Sequence, residues 1–275
     1  MDILTALLQG RQLLEQAGIA VPRLTAEVLL AHATGHDRAW LHAHSGDELK
    51  EVWWIHYGRY LHQRLQGQPT QQITGVQEFY GREFRVTPDV LIPRPETEHV
   101  IETALQLGAL RIVDIGTGSG AIAVTLALET GTRVIGTDIS VPALRVAAEN
   151  GRRHDAVVTW LVCDLGSALP SGSFDLVVSN PPYVPARDKS TLQREVREHE
   201  PEVALYGGDD GLEMYRRLVP EAERLLAPGG WLVMEIGYTL GDAVSVMLGA
   251  WKDVEIRTDL AGLPRVILAQ RVRRP

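Results

Sequence analysis

The sequence lacks the features that stabilise secreted proteins or insert a chain into a membrane. Its 275 residues include one cysteine, Cys163, so an intramolecular disulfide is impossible. No stretch approaches the roughly 20 apolar residues that span a bilayer. The first residues show no basic flank followed by an apolar core, which a signal peptide would have. We therefore expect a cytoplasmic protein without a membrane segment.

The sequence also has fewer basic than acidic residues. The chain carries 27 Lys and Arg against 35 Asp and Glu, which gives a formal net charge of −8. A general nucleic-acid binder is normally basic, so we expect no direct nucleic-acid partner. The apolar content of 45% is ordinary for a globular protein. The length suits one large domain, or one large and one small domain.

Metal-binding patterns are absent from the sequence. Six of the nine histidines fall in the first 75 residues, and His32 and His36 have the spacing of one helix face. Gly35 interrupts a helix between them, however, and the chain has neither an H-E-x-x-H pattern nor a cysteine pair. We therefore expect surface histidines and no metal site.

Residues 1–75 have the apolar spacing of helices and no strand signal. Leucines keep this spacing near the start, at Leu4, Leu7, Leu8, Leu13 and Leu14. Thr25 is a candidate cap for a second helix, and a later helix carries Trp53, Trp54 and Leu61. The segment contains no catalytic constellation. We predict a small helical bundle that docks a substrate.

Residues 76–93 change character. Alternation around Gly81 predicts a β-hairpin, which would act as a linker. A proline-rich run then follows at 91–98, and Thr97 or Glu98 is expected to begin a helix. This run has two readings, a structural linker or a lid over a ligand pocket. The remaining residues, 94–275, form the predicted catalytic domain.

From Arg111 onward, strand and helix patterns alternate. Such alternation predicts a doubly wound, mostly parallel sheet, which is an α/β fold. Helices are expected at 121–128 and 142–150, and a long segment at 184–212 separates the fourth strand from its helix. The predicted strands are 112–115, 133–138, 157–163, 174–179 and 231–236, followed by strands near 253–258 and 265–270.

A glycine-rich loop follows the first of these strands. It comprises Gly116, Thr117, Gly118, Ser119 and Gly120. Glycines let the backbone approach a ligand closely, and the helix that follows offers free N–H groups. Asp138 ends the second strand, where a carboxylate binds the hydroxyls of an adenosine ribose. These features serve NAD and S-adenosylmethionine equally well, so both cofactors remain candidates on this evidence.

The tetrapeptide Asn180-Pro181-Pro182-Tyr183 separates the two possibilities. It follows the fourth strand, and open α/β sheets carry their ligand sites at the carboxyl ends of strands. Two consecutive prolines stiffen the loop. The Asn180 side-chain oxygen and the Pro181 carbonyl can each accept one proton of a planar NH2 group, and Tyr183 can cover its face. This arrangement suits methyl transfer to an amide nitrogen and offers no proton donor for hydride chemistry.

With these motifs assembled, the sequence resembles the PrmC/HemK family of protein-(glutamine-N5) methyltransferases, which modify peptide-chain release factors. The resemblance covers nearly the whole chain, and the Pro-Arg-Pro-Glu-Thr-Glu run at 93–98 is its most specific mark. The other stretches that carry it are Phe79-Tyr80-Gly81 with Phe84, Asp114 to Gly120, Asn180 to Tyr183, and Glu200-Pro201 leading to Ala204-Leu205. The resemblance implies a Rossmann-like class I S-adenosylmethionine-dependent methyltransferase domain.

The resemblance also implies the substrate and the cofactor site. The substrate would be the glutamine of the Gly-Gly-Gln tripeptide in class I release factors, held by Asn180 to Tyr183. The glycine loop and Asp138 would hold S-adenosylmethionine, together with Asp164, Leu165 and Asn180. At the position of Leu165, other members often carry an aromatic residue. We expect a monomer.

Two rival classes share part of the pattern. Adenine-N6 DNA methyltransferases carry the same type of Asn-Pro-Pro-Tyr motif, but they need a basic cleft, against which the net charge of −8 weighs. A non-enzymatic cofactor-binding protein would not need the complete set of glycine loop, Asp138 and Asn180 motif.

Overall fold

The computed structural model describes residues 1–272, which form two compact units. The first unit comprises Met1–Val76 and the short segment Gln193–His199. The second comprises Gln77–Leu192 and the chain from Glu200 onward. The proposed roles of a docking domain, a linker and a catalytic domain stay predictions, because compactness does not test what each part does.

The first unit is a helical bundle, as its apolar spacing predicts. Its helices are α1 (Ile3–Gln16), α2 (Pro22–Thr34), α3 (Arg38–Ala43), α4 (Glu51–Leu65) and α5 (Thr70–Thr74). Gly10 on α1 packs so closely against α4 that a Cβ there would lie 1.9 Å from the Tyr57 hydroxyl oxygen. Leu7 and Leu14 lie in the core, whereas about half of the Leu4 and Leu8 surfaces is exposed.

The predicted cap at Thr25 is wrong. Helix α2 begins at Pro22, whose fixed φ suits a first turn, and Thr25 is buried inside the helix. The bundle also includes α9 (Arg194–His199), which lies in the long segment after the fourth predicted strand. Arg64 on α4 pairs with Glu195 on α9, and the Gln72 amide donates to the His199 carbonyl over 2.8 Å. The local sequence pattern did not predict this return of the chain.

The second unit contains the predicted hairpin and a seven-stranded sheet. The hairpin is formed by β1 (Val76–Phe79) and β2 (Arg82–Arg85). The sheet strands are β3 (Ile112–Ile115), β4 (Val134–Asp138), β5 (Val158–Val162), β6 (Phe174–Ser179), β7 (Leu226–Glu235), β8 (Lys252–Thr258) and β9 (Pro264–Gln270). Their order is β5-β4-β3-β6-β7-β9-β8. Within the described part of this seven-stranded sheet, only the pairings that involve β9 are antiparallel, so the predicted mostly parallel sheet is confirmed.

Helices cover both faces of this sheet. They are α6 (Glu98–Leu105), α7 (Ala121–Thr130), α8 (Val141–Arg153), α11 (Glu213–Leu225) and α12 (Gly241–Met247). The short helix α10 (Glu202–Leu205) lies in the segment between β6 and α11. Alternate residues of a strand face opposite sides. Accordingly, Ile112 and Leu176 join a core with α6 and α7, while Val113 and Val177 join a second core with α11 and α12.

The strand order also fixes where ligands bind. The chain runs outward from β3 through β4 to β5, and then returns to place β6 on the other side of β3. This reversal is a topological switch point, and the loops at the carboxyl ends of β3 and β6 diverge there to leave a crevice. The glycine loop and the Asn180 motif follow these two strands.

Asn150 on α8 ties the hairpin to the glycine loop. Its side chain is fully buried and makes three hydrogen bonds. Nδ2 donates to the carbonyls of Arg85, over 3.0 Å, and Ser119, over 2.9 Å, while Oδ1 accepts the Arg85 N–H over 2.7 Å. One side chain therefore satisfies polar groups of two other segments.

We predict that Asn150→Ala lowers the free energy of unfolding by about 3 kcal/mol, because it leaves several buried polar groups without partners. Urea unfolding of the full chain measures this loss. The neighbouring Glu149→Ala is the matched control, since its ion pair with Arg85 is exposed and should contribute less than about 1 kcal/mol. Equal losses for the two variants would contradict the role assigned to Asn150.

Candidate functional site

A pocket opens at the carboxyl ends of the central parallel strands. Its walls include residues that follow β3, β4, β5 and β6, which agrees with the position expected at the switch point. Predicted site residues among its lining are Gly116, Thr117, Gly118, Ser119, Asp138, Asp164, Leu165, Asn180, Pro181 and Pro182. Two predicted residues, Gly120 and Tyr183, do not line it.

The glycine loop presents bare backbone to the pocket. Gly116 and Gly118 have φ of +71° and +54°, and a Cβ added to either would meet no atom within 4 Å. The open space beside them allows a ligand to approach the backbone closely. Gly120 has a different task, because a Cβ there would lie 3.0 Å from the Trp160 ring and 3.1 Å from Ala147. Its small size serves packing at the start of α7.

The buried acid Asp114 holds the glycine loop through a hydrogen bond with Thr117. Asp114 lies near the end of β3 and is fully buried, which raises the pKa of its carboxyl to about 7. The Thr117 hydroxyl donates to Asp114 Oδ2 over 2.5 Å, and the Thr117 N–H donates to the Thr137 carbonyl over 2.9 Å. The loop is therefore held from both β3 and β4.

Asp138 brings a carboxylate to the edge of the same loop. Its Oδ2 accepts the Gly118 N–H over 2.9 Å, and its Oδ1 accepts the Ser140 N–H over 2.8 Å. Each carboxylate oxygen retains acceptor capacity beyond these bonds. The side chain is therefore both fixed in position and able to accept further donors, such as the two hydroxyls of a ribose.

The residues after β5 form another part of the pocket. The Asp164 carboxylate accepts two hydrogen bonds from Arg217 on α11, over 2.8 and 2.6 Å. Leu165 has a φ of +51°, in the left-handed region that a leucine rarely adopts. The turn at this point places an aliphatic side chain at the pocket, where it can contact a flat ring by packing alone.

Asn180 is fixed by a chain of hydrogen bonds. Its Nδ2 donates to the Thr97 hydroxyl over 3.1 Å, and that hydroxyl donates to Glu235 Oε2 over 2.5 Å. Just before it, the Ser179 hydroxyl donates to the Ile115 carbonyl over 2.7 Å and ties β6 to β3. The head of the tetrapeptide is thus anchored on both sides.

Tyr183 anchors the other end of the tetrapeptide. Its hydroxyl donates to Glu235 Oε1 over 3.0 Å, and its ring packs against the core that includes α11. Burial, followed by the charge of Glu235, raises the pKa of Tyr183 well above its usual range. The predicted contact between Tyr183 and the face of a substrate stays a prediction.

Sequence reasoning did not assign roles to Thr97 and Glu235. Both side chains are buried, and burial raises the pKa of the Glu235 carboxyl. A signal was available for Glu235, because it is an acid in the otherwise apolar run 231–236. Leu91, Pro93 and Thr97 of the proline-rich run also line the pocket, which favours the lid reading of the run over a bare linker.

The part of the chain that the structure describes contains neither a metal-binding cluster nor a membrane-spanning helix. Within residues 1–272, no group of three or more His, Cys, Asp or Glu side chains is arranged to hold a metal ion. No helix over the same residues is long and apolar enough to cross a membrane.

Comparison with known proteins identifies the family. Residues 5–75 match the model of the PrmC N-terminal domain, and residues 97–201 match that of the methyltransferase small domain. The chain is 44% identical to a release factor glutamine methyltransferase of Koribacter versatilis over 94% of both chains. A second enzyme of that name, from Moorella thermoacetica, is 42% identical over 98% of this chain and 99% of its own length.

The chain belongs to the release factor glutamine methyltransferase family.

Solved structures confirm the class of fold. A methyltransferase of Pyrococcus furiosus is 19% identical and superposes with a TM-score of 0.54 over 70% of this chain and 91% of its own. The catalytic domain of human Mettl16, solved with an RNA hairpin, gives a TM-score of 0.56 at 15% identity over 73% of this chain and 79% of its own. At these identities the likeness concerns the fold alone. The predicted Rossmann-like methyltransferase fold is confirmed, and so is the predicted family.

S-adenosylmethionine is the cofactor of this methyltransferase family, and the pocket fits it. The open backbone at Gly116 and Gly118 leaves room for a ligand, Asp138 can accept two hydroxyl donors, and Leu165 offers an apolar contact. When bound, the cofactor supplies a methyl group on a positively charged sulfur. The roles of the individual residues stay predictions.

We predict that Asp138→Ala raises the dissociation constant of S-adenosylmethionine at least about tenfold, or about 1.4 kcal/mol, because the variant removes the predicted acceptors for the ribose hydroxyls. Isothermal titration calorimetry measures this change. Asp175→Ala is the control, since Asp175 lies near the amino end of β6 and pairs with Arg111. Unchanged affinity in Asp138→Ala would exclude Asp138 from the binding site.

Proposed function

We propose that this enzyme transfers the methyl group of S-adenosylmethionine to the side-chain N5 of the glutamine in the Gly-Gly-Gln motif of class I release factors. The names of relatives at 38–44% identity over most of the chain support this substrate. The enzyme acts as a monomer in the cytoplasm, where release factors work, and it binds no nucleic acid directly.

The orientation of Asn180 is the observation that carries this proposal. Its Nδ2 already donates to Thr97, so Oδ1 is the end of the carboxamide that remains for a ligand. Among the described residues, no side chain or backbone group hydrogen-bonds to Oδ1. The Pro181 carbonyl lies next along the stiff loop, and Asn180 and Pro181 both line the pocket. In this proposal, Asn180 Oδ1 and the Pro181 carbonyl accept the two protons of the substrate NH2 group.

Two such acceptors solve the main difficulty of this reaction. An amide nitrogen is a poor nucleophile because its lone pair is delocalised into the carbonyl. Acceptors on both N–H bonds orient the nitrogen and favour its pyramidalisation toward the methyl donor, so rate is gained by positioning. The nitrogen sheds a proton after transfer, and no strong base is required before it.

The same acceptors discriminate between substrates. A carboxylate has only acceptor oxygens, so it would face Asn180 Oδ1 and the Pro181 carbonyl without a hydrogen. A site built to pair with N–H groups rejects a group that lacks them, because its own polar atoms are then left without partners. Glycines beside the glutamine allow the substrate backbone to approach the rigid prolines.

The helical bundle of the first unit is the proposed docking module for the release factor. About half of the surfaces of Leu4 and Leu8 on α1 is exposed, and about 60% of that of Ile55 on α4. Single exposed apolar residues are common on any protein, but a protein substrate can use them. The match of residues 5–75 to the PrmC N-terminal domain supports a role specific to this family.

We predict that mass spectrometry after reaction places one methyl group on the glutamine of the Gly-Gly-Gln motif. Release factor with that Gln changed to Glu should accept no methyl group, and Gln to Asn should nearly abolish transfer, because the side chain ends more than about 1 Å short of the donor. Duplex DNA is the control for the adenine alternative. A methyl group on adenine, on lysine or on the backbone would overturn the proposed function.

We predict that Asn180→Ala lowers kcat at least about 100-fold, the typical scale for one oriented polar group at a reacting centre. Its affinity for S-adenosylmethionine should stay within about twofold of the wild-type value. Gln106→Ala is the control, because it removes an exposed carboxamide that pairs with Arg257. If Asn180→Ala turns over at a rate near that of the wild type, the Asn180 side chain does not bind the substrate amide.

A further inference from the structure

At the wall of the pocket, four side chains form one hydrogen-bonded row: Asn180, Thr97, Glu235 and Tyr183. The first two line the pocket, and the other two lie behind them. The distances along it are 3.1 Å from Asn180 Nδ2 to Thr97 Oγ1, 2.5 Å from Thr97 Oγ1 to Glu235 Oε2, and 3.0 Å from Tyr183 Oη to Glu235 Oε1. Only 4% of Thr97 and 1% of Glu235 is exposed, so water cannot replace these partners easily.

The chemistry of these groups gives the row a direction. An ionised carboxylate only accepts hydrogen bonds, so both hydroxyls must donate to Glu235. A threonine hydroxyl has one proton, and Thr97 gives it to Glu235. Its oxygen can then only accept from Asn180, which requires that Asn180 present its NH2 to Thr97 and its Oδ1 to the pocket.

Resting on the proposed function, we propose that Glu235, acting through Thr97, is a positioning residue that sets the direction of the Asn180 carboxamide and thereby makes the site accept an amide and reject a carboxylate. Neither residue touches the substrate in this proposal. With the carboxamide turned over, its NH2 would face the pocket and repel the N–H groups of glutamine, while it could donate to a glutamate.

The direction depends on an ionised Glu235. A neutral Glu235 could donate its own proton to Thr97, whose proton would then go to Asn180 and reverse the row. Burial and the charge of Glu96 raise the pKa of Glu235. The hydrogen bonds from Thr97 and Tyr183 and the charge of Arg265 on β9 lower it. The Tyr215 hydroxyl of α11 fixes the backbone by donating to the Glu235 carbonyl over 3.0 Å.

Thr97→Val and Thr97→Ser make a matched pair for the test. Thr97→Val keeps the size of the side chain and removes the hydroxyl, whereas Thr97→Ser keeps the hydroxyl. For each protein, kcat is measured on release factor, and inhibition constants are measured for release factor whose motif carries Glu in place of Gln. The ratio of the Glu-form inhibition constant to the Gln-form KM reports discrimination.

We expect Thr97→Val to lower kcat at least about tenfold. It should also lower the ratio of the Glu-form inhibition constant to the Gln-form KM at least about tenfold, and a tenfold change corresponds to about 1.4 kcal/mol. Thr97→Ser should stay within about twofold of the wild type in both measurements. A merely structural role would weaken both forms equally and leave the ratio unchanged. An unchanged ratio in Thr97→Val would therefore overturn the proposal.

A pH profile provides a second readout that does not depend on folding of Thr97→Val. Because protonation of Glu235 removes the fixed direction, wild-type kcat should fall as pH is lowered through the raised pKa of Glu235. Glu235→Gln cannot titrate there, so it should have low kcat and lack this acid limb. If kcat of wild type and of Glu235→Gln falls over the same acidic pH range, the proposal is overturned. The group that titrates would then be one that both proteins share, such as Asp114.

The wild-type reaction separates this inference from the function on which it rests. If wild-type enzyme leaves the release factor glutamine unmodified, the proposed function fails and the inference falls with it. If wild-type enzyme methylates the glutamine but Thr97→Val discriminates as wild type does, the inference alone is overturned.

Discussion

The hydrogen bond from Asn180 to Thr97 is the contact on which the arrangement of the site depends. It joins residues 83 positions apart in the chain, one after β6 and one just before α6. No local pattern brings these segments together, so the contact depends on the packing of the whole sheet. Once it has formed, the Ser179 bond to the Ile115 carbonyl and the Tyr183 bond to Glu235 hold the tetrapeptide at both ends. The carboxamide then has no freedom to adapt to a wrong substrate.

Much of the fold was predictable because buried parallel strands have short apolar runs. β3 and β6 have the bounds that their sequences predicted. The pattern failed where a local signal had another cause. The sequence predicted a strand at 231–236, but β7 begins at Leu226 and includes Gly229 and Gly230. Thr25 resembled a cap, although Pro22 had already begun its helix. The helix α9 could not be predicted because its partners, Arg64 and Gln72, are over a hundred residues away.

Part of the candidate site was predictable from the sequence and part was not. Residues that follow strands, such as Gly116, Asp138 and Asn180, were predictable, because parallel strands bring their carboxyl ends to one edge of the sheet. Their predicted pocket positions agree with the structure, while their chemical roles await experiment. Glu235 was not identified, because its importance lies in hydrogen bonds with Thr97 and Tyr183, which are distant from it in sequence and do not belong to strands. Gly120 does not line the pocket and packs against the Trp160 ring, so its predicted contact with the cofactor stays a prediction.

Two buried acids support the site by the same physical means. Asp114 near the end of β3 accepts the Thr117 hydroxyl, and Glu235 at the end of β7 accepts the Thr97 hydroxyl, each over 2.5 Å. Burying a carboxylate costs several kcal/mol unless it is hydrogen-bonded, so each acid favours the one loop conformation that supplies its hydroxyl partner. One of these loops presents bare backbone to the cofactor pocket, and the other orients Asn180. The free-energy cost of leaving either buried acid without its hydroxyl partner thus favours the geometry of a loop that the glycines and prolines alone would not fix.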